Sequence, residues 1–182
     1  MCGLHFPNGV LVDPSRTKLL LVESLRFRVL ELDIKALSSD AAHLMDSLTY
    51  CGEEDALPGG VRVFAKALPG FVDNLEFDEK LGGYVAGAGT KVAAPFSALH
   101  LALKAPGIFR TVVGKFVPIH ALEKVIPRYG LIFVLGLDGT VTESMHDSTG
   151  RTAFISTAHR STKSGYTFLG SSQNLYLGRV RL

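Results

Sequence analysis

Apolar and polar positions alternate along much of this chain with the two-residue period of a strand that buries one face, in short stretches separated by turn residues. Asn8 to Asp13 alternates into a Pro14-Ser15 turn, Lys18 to Glu23 is an apolar run, Arg26 to Asp33 alternates through Phe27, Val29, Leu30 and Leu32, and Val61 to Ala67 supplies a fourth strand. Between the third and fourth, Lys35 to Gly60 carries polar clusters, the acidic run Glu53 to Asp55 and a Pro-Gly-Gly stop. It is predicted to be a surface insertion, partly helical around Ala41 to Leu48. A second set of strands begins at Asp73, crosses the Gly82-Gly83 turn and continues from Tyr84 to Gly89. The period then changes. From Pro95 to Arg128 apolar residues such as Phe96, Leu99 and Leu103 recur at helical spacing, broken near Pro106-Gly107 and Pro118, which predicts two or three short amphipathic helices. Strands resume at Tyr129 to Leu137, turn at Asp138-Gly139 and run on through Thr140 to Met145. A third set follows near Thr152 to Ala158, Tyr166 to Ser171 and Leu175 to Leu182.

The three sets are copies of one another. A gapless shift of 65 positions carries Phe6 onto Phe71, Asn8 onto Asp73 and Asp13 onto Asp78, and a shift of 148 carries Asn8 onto Ser156. The third copy is the weakest. Repeated strand sets with a polar residue at each entrance are the signature of a radial arrangement such as a β-propeller, whose inner strands converge near an axis. The expected architecture is therefore all-β and propeller-like, with about three blades at 1–67, 68–150 and 151–182 and a helical insertion at 95–128. Four, four and three strands make fewer blades than a closed ring uses, and an unpaired sheet edge is a pairing liability. The chain is thus expected to be the C-terminal part of something larger, or to complete a ring by pairing with a second copy.

Composition narrows the function classes. With 182 residues and 47% hydrophobic content, the chain has enough apolar material for a sizeable core. Its 19 basic and 17 acidic residues balance to a net charge of +2, with no polybasic run, which argues against a nucleic-acid partner. Cys2 and Cys51 make neither a CxxC nor a metal spacing, so they do not reveal the compartment. No secretory leader, Asn-x-Ser/Thr acceptor or uncharged apolar run long enough to span a bilayer is present in the sequence. The 95–128 insertion carries Lys104, Arg110, Lys115, Lys124 and Arg128 against Glu123. It reads either as a lid packed over one end of the propeller or as a peripheral contact with an acidic membrane surface.

The polar residues at the strand entrances carry the candidate chemistry. Asn8, Asp73 and Asn74 are hard oxygen ligands of the kind a Ca²⁺ site requires, although Asn and Asp ahead of a strand also serve as plain turn formers. Adjacent strand residues point to opposite faces, so Asp73 and Asn74 are expected to share an ion only where the Pro69-Gly70 turn has not yet become strand. Asp13 and Asp78 are expected to be hairpin-turn residues. None of the six histidines shows a ligand spacing; His159, close after Ser156, is retained with Ser156 as a catalytic candidate near the channel mouth. Ser156 lacks the GxSxG setting of a nucleophile elbow.

Several motifs together resemble the strictosidine synthase-like family of six-bladed propellers. They are FPNGV at Phe6 to Val10, LPGFVDN at Leu68 to Asn74, GGYVAG at Gly82 to Gly87, the insertion from Phe96 to Tyr129, SMHDSTG at Ser144 to Gly150, and YTFLGSSQNLYLGRVRL at the end. The resemblance covers nearly the whole chain and implies the C-terminal half of such a propeller. The resemblance implies that the family's N-terminal blades and anchor segment lie outside the residues matched here, and the Lys35 to Gly60 insertion is longer than is usual there. True strictosidine synthases carry a catalytic glutamate near Phe154; no Glu lies between Arg151 and Arg160, so amine-aldehyde condensation is not expected. A more distant similarity, at FPNGV and VDN, is to the paraoxonase and arylesterase propellers. It implies that Asn8, Asp73 and Asn74 are ligands of a catalytic calcium, with further ligands and the general base on blades outside this chain. The expected function is a calcium-dependent hydrolase of a small-molecule ester or lactone. The alternative is a non-catalytic propeller used for binding or scaffolding at a membrane surface. The family resemblance implies the endoplasmic reticulum or another endomembrane as location.

Overall fold

The computed structural model describes residues 4–39, 57, 60–92, 115–116 and 126–181. The helices expected around 41–48, almost all of the 95–128 insertion, Cys2, Cys51, His43, His100 and His120 lie outside the described residues. Within them the chain forms three antiparallel sheets. The first contains β1 (Pro7–Val12), β2 (Lys18–Glu23), β3 (Arg28–Asp33) and β4 (Val61–Ala65) in that order; a 3-10 turn, Ser24–Arg26, joins β2 to β3, and α1 (Ile34–Ser39) follows β3. The second contains β5 (Gly70–Asp78), β6 (Gly83–Lys91), β7 (Gly130–Leu135) and β8 (Val141–Asp147), and the third β9 (Ile155–Arg160), β10 (Tyr166–Ser171) and β11 (Gly178–Arg181). The expected grouping of four, four and three strands is thus observed. The fold is all-β and that of a partial propeller, in which the described residues do not close a ring.

Strand ends differ from the sequence reading in ways that follow from local chemistry. β5 starts at Gly70 rather than Asp73, because Gly70 pairs with Lys91. β9 starts at Ile155 rather than Thr152, because Phe154 adopts a left-handed φ of 53° that no strand residue can hold. β11 spans only Gly178–Arg181, since Leu175, Tyr176 and Leu177 are exposed.

The two central strands of the second sheet, β6 and β7, are buried on both faces, and their period-two alternation shows how. Tyr84, Ala86 and Ala88 of β6 and Leu131, Phe133 and Leu135 of β7 pack with Leu20, Val22, Val29 and Ala65 of the first sheet. The residues between them, Val85, Ile132 and Val134, pack with Ile155, Ala158 and Leu169 of the third sheet. A third cluster, Leu21, Leu30, Leu32 and Val61, occupies the other face of the first sheet. The sheets are also tied by polar contacts: Ser24 Oγ donates to the Val72 carbonyl at 2.6 Å across the first interface.

The hairpins repeat as faithfully as the core. Asp13 N donates to Lys18 O at 3.0 Å and its repeat mate Ser161 N to Tyr166 O at 2.9 Å, while Gly82 N donates to Asp78 O at 2.9 Å. The Asp78 carboxylate accepts the Lys80 and Leu81 amides, and the Asp13 carboxylate accepts the Ser15 hydroxyl. Both aspartates are turn residues, as the sequence indicated.

A buried ion pair secures the inner end of the first sheet. Glu23, with no exposed surface, accepts from Arg28 Nε at 2.6 Å and from the His5 amide at 2.6 Å, and Arg26 Nε lies 3.5 Å away. Removing one member of such a pair leaves the other charge buried, so Glu23→Ala is expected to destabilise the fold by about 3–5 kcal/mol, read from the shift in a urea unfolding midpoint.

Candidate functional site

The three inner strands β1, β5 and β9 share an irregularity at the repeated polar residue. In the first sheet Pro7 pairs with Glu23 and Val10 with Leu21, three steps along β1 against two along β2, so β1 holds one extra residue at Asn8-Gly9. In the second, Val72 pairs with Ala88 and Leu75 with Ala86, and the extra residue falls at Asp73-Asn74. In the third, Ile155 pairs with Ser171 and Thr157 with Gly170, which leaves Ser156 between them. The shifts of 65 and 148 that align the sequence carry each of these pairs onto its counterpart. The copies are therefore equivalent in register as well as in sequence.

This bulge overturns the expected geometry of the VDN motif. Asp73 and Asn74 lie inside strand β5, not ahead of it. A β-bulge nevertheless re-aims side chains. Val72 and Leu75, three residues apart, both enter the core against the first sheet, so Asp73 and Asn74 together occupy the turn of chain between them and are only half-buried.

The inner strands approach closely enough for these residues to meet. A Cβ on Gly9 would stand 2.6 Å from the Asp73 carbonyl oxygen and 2.7 Å from Asn74 Cα, and one on Gly87 would stand 2.9 Å from the Thr157 amide nitrogen. Only glycine allows either approach. In the gap, the Asn8 side chain lies beside the Asp73 carboxylate and favours its charged form. Asn74 Nδ2 donates to the Ser156 carbonyl at 3.0 Å and lies 3.4 Å from Asp73 Oδ1. The structure thus brings Asn8, Asp73 and Asn74 together, and Ser156 joins them through its backbone carbonyl. Among the described residues no hydrogen bond connects the Ser156 hydroxyl to a base. Phe6 and Phe154, repeat mates just before the bulges, both hold left-handed φ values, 59° and 53°, and their carbonyls accept from Ser24 N and Ser172 N at 3.1 Å each.

Electrostatics single out Asp73. Burial pushes its pKa above the ordinary aspartate value, and the Asn8 side chain only partly opposes this. Among the described residues its carboxylate meets amides and no basic group. His159 lies one step further along β9, where its Nδ1 meets Glu76 Oε1 of β5. Glu76 was missed by sequence reasoning, although the repeat offered a signal: Leu11, Glu76 and His159 occupy one repeat position. Glu23 was missed too, and no motif marks it. Among the described residues no three His, Cys, Asp or Glu side chains cluster as a metal centre, so any ion at this site would rest on one carboxylate with amide and carbonyl oxygens.

No family model matches the chain. It is 31% identical to adipocyte plasma membrane-associated protein of Bos taurus, and the match covers 98% of this chain and 38% of that protein. It is 30% identical to the protein of the same name in Danio rerio, over 100% of this chain and 39% of that protein, and 30% identical to the one in Homo sapiens, over 98% and 38%. The chain thus spans about two fifths of the length of the curated relatives it matches.

Two outcomes test the geometry. Gly9→Ala is expected to force β1 away from β5 and to lower stability by about 1–3 kcal/mol in chemical unfolding. For Asp73, the folded state binds the proton more tightly than the unfolded state, so stability falls as pH rises from the ordinary aspartate range through the raised value and stays lowered above it. Asp73→Asn is therefore expected to raise the melting temperature at neutral pH in chelator, and to flatten the acid side of the stability profile.

Proposed function

We propose that this chain, which belongs with the adipocyte plasma membrane-associated proteins in the strictosidine synthase-like family, supplies the Asn8, Asp73 and Asn74 part of a calcium-dependent hydrolase site for small esters or lactones. The observation that carries the reading is the convergence of these three side chains at the bulged inner strands of two neighbouring sheets. The donor set fits a hard cation. A half-buried carboxylate whose described partners are amides is a group that a cation would neutralise. Calcium takes roughly six to eight oxygens, so these side chains are a partial set, completed by water, substrate or the remainder of a longer protein.

Each residue has a separate task. Asp73 supplies the negative charge. Asn74, held by its Nδ2 on the Ser156 carbonyl, keeps its Oδ1 on the side of Gly9 and β1, where Asn8 lies. Gly9, with no Cβ, lets β1 come close to the Asp73 and Asn74 backbone. A calcium ion bound there would act as a Lewis acid on the ester or lactone carbonyl.

A second reading, a non-catalytic propeller that binds at a membrane surface, is favoured by the name of the relatives, which states an association with the plasma membrane and no reaction. No helix among the described residues is long and apolar enough to cross a membrane.

Thermal unfolding of the full-length protein with calcium and with chelator separates the two. Calcium at 100 times its dissociation constant is expected to stabilise the folded state by about 2.7 kcal/mol. Asp73→Ala should abolish that stabilisation and the calcium-dependent hydrolysis of phenyl acetate together. A protein that gains no stability from calcium, hydrolyses no ester or lactone and pellets with anionic vesicles would establish the second reading instead.

A further inference from the structure

A second pair of functional groups spans the same two inner strands. Glu76 follows Asn74 by two residues on β5, so the two side chains share a face of the strand, roughly 7 Å apart along it. Glu76 Oε1 meets His159 Nδ1 on β9, just as Asn74 meets the Ser156 carbonyl one level below. The repeat places both members at one position, since a shift of 65 carries Leu11 onto Glu76 and a shift of 148 carries it onto His159. The first copy thus presents an apolar side chain here, the second a carboxylate and the third an imidazole. The side chains of Glu76 and His159 are 37% and 60% exposed, so a solute can reach both.

We propose that His159, held in orientation by Glu76, is the proton-transfer residue of the hydrolytic site, a reading that rests on the hydrolase function proposed above. The carboxylate fixes the tautomer: with the proton on Nδ1 directed to Glu76, Nε2 is the nitrogen that accepts one. A substrate carbonyl held at the polar cluster would lie one level along the strands from the imidazole, and the attacking water would sit beside His159. His159 Nε2 takes a proton from that water as the water oxygen bonds to the acyl carbon. The acyl C–O bond then breaks, and the imidazolium returns the proton to the departing alcohol oxygen. An ester and water become an acid and an alcohol, a lactone becomes a hydroxy acid, and Glu76 and His159 end as they began. No external base, oxidant or reductant is needed. His159 is the catalytic residue in this scheme and Glu76 a positioning residue.

The competing role for the pair is a latch between the second and third sheets. The test uses the full-length protein at saturating calcium, with phenyl acetate and γ-butyrolactone as probes. His159→Gln is expected to lower kcat about 100-fold or more while KM and the calcium-induced rise in melting temperature are retained. Added imidazole should restore part of the rate lost in His159→Ala, which a latch has no reason to show. Glu76→Gln should lower kcat without changing KM, and Glu76→Asp should recover part of it. A kcat within twofold of the parent in His159→Gln, or a loss that imidazole does not rescue and that accompanies a lower melting temperature, overturns the dyad and leaves the calcium hydrolase standing. A parent protein that hydrolyses neither probe overturns both.

Discussion

The structure depends on the two central strands of the middle sheet, which are buried on both faces. β6 and β7 send alternate side chains to opposite neighbours, Tyr84, Ala86 and Phe133 toward the first sheet and Val85, Ile132 and Val134 toward the third. None of these core residues can change polarity without opening an interface. Packed sheets keep a separation of about 10 Å across their centres, but sheets arranged around an axis must come closer at their inner edges. Here that compression is taken up at Gly9 of β1 against β5, and one strand further out at Gly87 of β6 against β9, where the backbones of neighbouring sheets lie too close for a Cβ. The candidate site is therefore a consequence of the packing, because the place where inner strands touch is also where their polar side chains can meet.

The bulge resolves a conflict between core and site. A regular strand would alternate, sending one of Asp73 and Asn74 into the interface that Val72 and Leu75 fill. One extra residue in β5 lets both apolar residues face the core and displaces both polar ones from it. The same extra residue in β1 and β9 gives Asn8 and Ser156 equivalent places. The arrangement carries a local cost, visible in the left-handed backbone of Phe6 and Phe154 and in the raised pKa of Asp73. The strain falls in the first and third copies and the half-buried carboxylate in the second, while the register around the bulge is the same in all three.

Much of this was legible in the sequence, for a physical reason. Gapless repetition preserves register, so the shifts of 65 and 148 identified Asn8, Asp73 and Ser156 as equivalent before any strand was placed, and the apolar alternation gave the grouping of four, four and three strands. The bulge was not legible. VDNL reads as a strand entrance under strict alternation, and the extra residue shows only in the pairing of Val72 with Ala88 and Leu75 with Ala86. Glu76 escaped notice because a lone glutamate on an alternating strand looks like a solvated face, and its partner is 83 residues away. Glu23 escaped because a charged residue ending an apolar run gives no sign that Arg28 will meet it in the interior.

The repeat also separates what must be kept from what can vary. Val10, Leu75 and Ala158 occupy one repeat position and are apolar in all three copies, since the two later ones fill interfaces between sheets. The next position holds Leu11, Glu76 and His159, three different chemistries on the same backbone. Leu11 packs against the core there, whereas Glu76 and His159 are partly exposed and meet each other between the second and third sheets, so the exposed copies can change chemistry with little effect on the core. In a radial fold of this kind, chemistry is set by which copy carries which residue at two inner-strand positions. A site composed of contributions from several copies can change its ligand set, or acquire a proton-transfer pair, one copy at a time and without a new backbone.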